Sequence, residues 1–157
     1  MKPKLTLSIQ NASAAETLPT RAQIRQWTEA ALQPGIAKAE ITFRIVDAEE
    51  GQALNRDYRG KDYATNVLTF TFDDEMPAIP GLPLLGDIVL CAPVVAREAA
   101  EQAITLEAHY CHLVVHGVLH LQGFNHIEEN EAEAMEARET QIVTSLGYDD
   151  PYRMDKE

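Results

Sequence analysis

Thr105–His126, TLEAHYCHLVVHGVLHLQGFNH, reads as one long apolar helix from Thr105 to Leu121 followed by a chain reversal. Threonine is a favoured N-cap residue. Leu113, Val114, Val115, Leu119 and Leu121 leave little of the helix polar besides its histidines, so it should lie at the centre of the fold. His116 and His120 are one helical turn apart on one face. Two imidazoles at that spacing can grip one metal ion. Gly123 lets the helix stop in a left-handed turn and the chain double back. That reversal can bring His126 round to the same ion.

The spacing of His116, His120, Gly123 and His126 is shared with the extended zinc signature of the metzincins. Gly117 stands where that signature has the glutamate that serves as general base. The metal-binding pattern is therefore present and the peptidase base is missing. His112 precedes His116 by four residues and could form an alternative pair with it. The His116–His120 pair is preferred because it alone recruits Gly123 and His126. His109 and His112 lie near the same stripe: His112 could support a ligand or contact substrate, and for both the alternative is a packed core side chain. Cys111 falls off the ligand face.

Away from this helix the chain alternates strands and helices. Lys4 to Gln10 alternates polar and apolar residues, the period of a half-buried strand. Thr20 to Gln33 is a helix with Ile24, Trp27, Ala31 and Leu32 inward, ended by Pro34-Gly35. Glu40 to Val46 is a second strand. Asp47 has the look of an N-cap with Glu50 three residues later, opening a helix to about Tyr58. Arg56, Arg59 and Lys61 lie close together, the latter two in a loop that leads to a third strand, Val67 to Phe72. Residues 73–84, with three acids, three prolines and Gly81, form a loop. Leu85 to Ala92 is a fourth strand. Pro93 suits the first turn of a helix to about Ala103. A last helix runs from about Glu128 to Leu146 with Gly147 as its stop. Its stripe is Ala132, Met135, Ile142, Val143 and Leu146, and its glutamates read as a solvated face. The expected fold is α+β: residues 1–157 as a single domain, a mixed sheet of about four strands covered by helices, with a central metal-binding helix.

The 157 residues suffice for one buried core, and 45% hydrophobic content is ordinary for a globular chain. No apolar run approaches a membrane span and the N-terminus lacks a signal-peptide core, so no membrane role and a cytoplasmic location are expected. Cys91 and Cys111 do not make a disulfide framework. The net charge is −12, of which residues 98–157 carry −10 while residues 1–72 are +1. Such acidity opposes non-specific nucleic-acid binding by the whole surface and confines any basic groove to the first half.

Three protein ligands would leave a tetrahedral zinc ion one open position, the mark of a catalytic site. Water there has its pKa lowered from about 15.7 towards roughly 7. Nickel or copper could occupy the same imidazoles. Arg59 is the candidate for stabilising developing negative charge, because a guanidinium matches phosphate oxygens bidentately. A surface arginine is the plainer alternative. Asn66, with Thr65 beside it, could contact substrate or simply start the third strand. Asp87 is read as a structural acid.

The pattern resembles the YbeY endoribonucleases, whose motif reads H-G-x-L-H-L-x-G-Y-D-H. The segments YRGKDYATNVLTFTF, LGDIVLC and EAEAMEARETQIVTSLGYDDPY are similar to that family's arginine-containing segment, following strand and closing helix. Together they span most of residues 45–152. The resemblance implies a single-strand-specific, metal-dependent endoribonuclease acting in rRNA maturation and ribosome quality control. It implies one zinc ion held by His116, His120 and His126, and a catalytic role for Arg59. It implies as partners ribosomal RNA, the small ribosomal subunit with its proteins, and an assembly GTPase. Phe124 and Asn125 depart from the family's Tyr and Asp, removing a hydroxyl and a charge near the ligands. Arg56, Lys61, Asn66 and His112 are the expected substrate-binding or supporting residues. Two rival readings are a zinc metallopeptidase, which should digest casein, and a non-enzymatic assembly factor whose zinc only staples the fold.

Overall fold

The computed structural model describes residues 4–33, 36–71, 84–122 and 129–151. Its elements run β1 (Lys4–Asn11), α1 (Arg21–Ala31), β2 (Lys38–Val46), α2 (Ala48–Arg59), β3 (Val67–Thr71), β4 (Leu84–Cys91), α3 (Ala92–Glu101), α4 (Leu106–Leu121) and α5 (Glu129–Ser145). The predicted order of four strands and five helices is the observed one. Pro34-Gly35, most of the 73–84 loop and Gly123 to His126 lie outside the described residues.

The four strands form one mixed sheet in the order β1-β2-β4-β3. β1 pairs parallel with β2, and β2 parallel with β4, with Leu7 opposite Ile41 and Phe43 opposite Ile88. β3 runs antiparallel along β4, with Thr69 opposite Ile88. β1 is an edge strand and alternates between exposed and buried residues. Four consecutive residues at the end of the central strand β4, Ile88 to Cys91, are buried, as expected of a strand covered on both faces.

Helix α4 is the hub. Ten of its sixteen residues are buried, and it packs against α1, α3, α5, β3 and β4. Thr105 caps it as predicted, accepting a hydrogen bond from the Ala108 amide at 3.1 Å. Two glycines set how closely α4 lies on the sheet. A Cβ on Gly117 would come within 3.1 Å of Ile88 and 3.4 Å of Thr69, and one on Gly86 within 2.6 Å of Leu121. The predicted inner face of α1 is buried, from Ile24 and Trp27 to Ala31 and Leu32. Its N-terminus carries a reciprocal cap between Thr20 and Gln23.

Three expectations are corrected. Asp47 occupies the N-cap position of α2 but makes no capping bond. Its carboxylate instead accepts from the Ser13 hydroxyl and the Ala14 amide, tying the β1–α1 loop to β2. Glu50 turns to Arg44 rather than to the helix start. A long-range pair of donors has displaced the local one. The second correction concerns α5: Glu139 is wholly buried, not part of a solvated face. Arg59 also closes α2 instead of lying in a loop, because Gly60 takes up the left-handed conformation (φ 72°) that ends the helix.

Candidate active site

The helical period of α4 puts four histidines in a row. Ring centroids of His109 and His112 are 6.3 Å apart, and those of His112 and His116, and of His116 and His120, 6.4 Å. His116 and His120 open onto a groove of about 470 Å³, where Asn55, Arg59, Lys61 and Tyr63 also lie. Their rings are nearly parallel, 29° apart. Helix α4 brings the imidazoles to the groove, and α2 with the following loop brings the cations.

Glu139 of α5 joins the two middle histidines of this row. Its Oε1 lies 2.8 Å from Nδ1 of His116 and 3.1 Å from Nε2 of His112. Burial alone would push its carboxyl up, but the hydrogen bonds from His112 and His116 outweigh burial and hold it at about 2. The carboxylate is therefore an acceptor, and Nδ1 of His116 donates to it. The tautomer that results carries its lone pair on Nε2. A ligating histidine characteristically has such a carboxylate behind it. The donor set thus fits a divalent metal: two imidazoles one turn apart on one groove, one of them backed by a buried acid. His126 lies outside the described residues, and among these no group of three His, Cys, Asp or Glu side chains could hold a metal.

Arg59 is held rather than loose. Its Nη2 donates to the Thr69 carbonyl oxygen at 2.5 Å, and its guanidinium lies 5.4 Å from the Phe70 ring centroid. Among the described residues it has no ion pair, so its charge is left to the groove. A guanidinium has five N–H donors and the Thr69 bond uses one.

The other expected site residues divide. Lys61 and Thr65 line the groove. Arg56 is exposed and paired with its neighbour Asp57 at 3.2 Å. Asn66 is not at the groove. It donates to Glu98 Oε1 at 2.9 Å, the same oxygen that His109 Nε2 meets at 2.9 Å. His112 joins the row through Glu139 and lines a second cavity, with His109 and Asn66. Burial, only partly countered by Glu98, holds the His109 imidazole below its ordinary pKa, so it is neutral. Cys111 is buried and its thiol is pushed up to about 12, as suits a core residue.

Glu139 is the residue sequence reasoning missed. One signal pointed to it: it lies four residues after Met135 and three before Ile142, squarely on the apolar stripe of α5. A carboxylate at that place must find donors.

No helix among the described residues is long and apolar enough to cross a membrane. The family profile of Endoribonuclease YbeY matches residues 8–147. An Endoribonuclease YbeY of Methylobacillus flagellatus is 56% identical over 154 residues, spanning 98% of this chain and 97% of the relative. One from Chromobacterium violaceum is 59% identical over 149 residues, spanning 95% of this chain and 87% of its own length. The solution structure of TM1509 from Thermotoga maritima has the same fold, with a TM-score of 0.60, 24% identity and 88% of each chain covered. A family profile covering most of the chain and two relatives more than half identical to it over nearly its whole length agree, and the chain belongs to the Endoribonuclease YbeY family.

Proposed function

We propose that this chain is a metal-dependent, single-strand-specific endoribonuclease of the cytoplasm that trims small-subunit rRNA and acts in ribosome quality control. The observation that carries the reading is the groove where Arg59, a guanidinium with no ion pair among the described residues, faces the His116–His120 pair. His116, His120 and His126 are the zinc ligands in this reading, and nickel or copper are alternatives for the same donors. When bound there, the ion would supply Lewis acidity toward a phosphoryl oxygen and lower the pKa of water.

The chain's own residues do the rest. Arg59 offers its remaining N–H donors to the non-bridging phosphate oxygens, where charge grows as the phosphodiester is attacked. Thr69 and Phe70 fix that guanidinium, so little reorientation accompanies the reaction. Glu139 holds His116 in one tautomer and one orientation. Lys61 adds positive charge along the RNA path. The peptidase alternative lacks its base for a steric reason: a side chain at residue 117 would run into Ile88 and Thr69 instead of the groove. Ribosomal RNA, the small subunit and its proteins, and an assembly GTPase are the partners this reading expects.

The test is cleavage of an rRNA fragment carrying the small-subunit 3′ end, offered single-stranded and fully paired. Cutting of the single strand is expected, with loss in His116→Ala and on chelation and recovery with zinc. Arg59→Ala should lower turnover about 10²-fold with fold and metal content unchanged. Undiminished turnover in Arg59→Ala would remove that residue from the reading, and casein digestion would overturn the nuclease altogether.

A further inference from the structure

Tyr58 and Tyr63 are the large hydrophobic side chains that stand exposed among the described residues, 64% and 52% respectively. Both fall within the short segment that also supplies Arg56, Arg59 and Lys61. An isolated exposed tyrosine needs no explanation. Two of them beside a basic groove in an acidic chain do.

We propose that Tyr58 and Tyr63 are stacking platforms for unpaired RNA bases flanking the phosphate in the Arg59–His116 groove. This rests on the endoribonuclease reading above and adds to it the residues that distinguish a single strand from a duplex.

Each ring is exposed while what carries it is held. The Tyr63 carbonyl oxygen accepts from Asn55 Nδ2 at 2.8 Å, and Asn55 is itself only 2% exposed. The loop backbone is thereby tethered to α2 and the Tyr63 ring is left beside the groove it lines. Tyr58 meets Phe70 edge to face, 5.3 Å between centroids and 75° between planes. Phe70 also carries the Arg59 guanidinium. Tyr58, Phe70 and Arg59 therefore form one aromatic–cation cluster, anchored on β3. Rings held in this way lose little conformational freedom when a base stacks on them.

The surrounding charge suits a phosphate chain. The two acids of the segment are engaged: Asp57 with Arg56 at 3.2 Å, and Asp62 with Gln52 at 2.9 Å. A positive groove lined with aromatic rings is the chemistry by which single strands are held without sequence readout. A duplex has its base faces already stacked and cannot offer them. Strand selectivity then needs no hydrogen bond to any base.

The experiment is stopped-flow fluorescence anisotropy, which reads binding before cleavage, with an end-labelled single-stranded RNA of about ten nucleotides and its duplex. Tyr58→Ala and Tyr63→Ala should each weaken single-strand binding about tenfold and leave the residual duplex binding unchanged. Tyr58→Phe and Tyr63→Phe keep the ring and should bind as the wild type does. Walking one abasic site along the strand should weaken wild-type binding at two positions, one of which costs Tyr58→Ala nothing and the other Tyr63→Ala nothing. Both alanine variants should stay fully folded at the assay temperature, with a small drop in melting temperature for Tyr58→Ala, which loses its edge-to-face contact with Phe70. If the wild type binds the single strand while both alanine variants bind it equally well, the stacking proposal is overturned. Equal abasic losses in wild type and variants would overturn it too. A wild type that binds no RNA at all would instead remove the endoribonuclease reading on which the proposal stands.

Discussion

Glu139 shows how much one residue's neighbours decide. On sequence it is one glutamate among many in an acidic helix. In the structure it is wholly buried and shared by two imidazoles. A buried carboxylate is tolerated only with donors of this kind. Glu139→Gln keeps the size and loses the charge, so His116 should be less firmly oriented. Zinc affinity, measured by competition with a chromophoric chelator, should fall about 10- to 100-fold. Unchanged affinity would mean that the carboxylate does not serve the metal. His109 supplies a pH prediction. Its folded pKa lies below the ordinary 6.5, chiefly through burial. Below that pH the unfolded chain takes up a proton that the folded chain refuses, so stability should fall as the solution is acidified from neutrality. His109→Gln should flatten that slope in urea titrations run at pH values on either side of 6.5.

Among the elements, α4 and β4 depend on each other's glycines. Gly86 has no room for a methyl group, with Leu121 within 2.6 Å of where it would stand. Gly86→Ala should therefore destabilise the protein by about 1–3 kcal/mol, the usual range for overpacking, seen as a lower urea midpoint. Gly117→Ala should come out closer to neutral. Its methyl contact with Ile88 is looser, at 3.1 Å, and replacing a mid-helix glycine returns about 1 kcal/mol of helix propensity. Gly117→Glu would restore the peptidase motif on paper, but it forces a carboxylate against Ile88 and Thr69. It should lose the fold rather than gain proteolysis, which circular dichroism and a casein assay would read together. The arginine segment belongs to the same scale: Gly60 ends α2 at Arg59, and Thr69 of β3 catches that side chain.

At the scale of the molecule the difficulty is charge. A chain of net charge −12 that acts on RNA must concentrate attraction in one place. The half that supplies Arg56, Arg59 and Lys61 is close to neutral, and the last 60 residues carry most of the negative charge. Few phosphates can then be neutralised. With about three such contacts, log K against log salt should have a slope near −2 for single-stranded RNA. A much steeper slope, measured by anisotropy over a salt series, would require a second basic surface.

The order of strands and helices, the hub position of α4, the Thr105 cap and the pairing of His116 with His120 on one face were all legible in the sequence. Each follows from a local period or a neighbouring residue. The strand order β1-β2-β4-β3 was not legible, nor was the removal of Asn66 from the groove to Glu98, the diversion of Asp47 from its cap to Ser13, or the burial of Glu139. These depend on which groups meet across separations such as the 34 residues between Ser13 and Asp47 or the 23 between His116 and Glu139. Periodicity tells a side chain which face to take. Only the packed chain tells it which partner waits there, because a buried polar group takes the nearest donor in space, however distant along the chain.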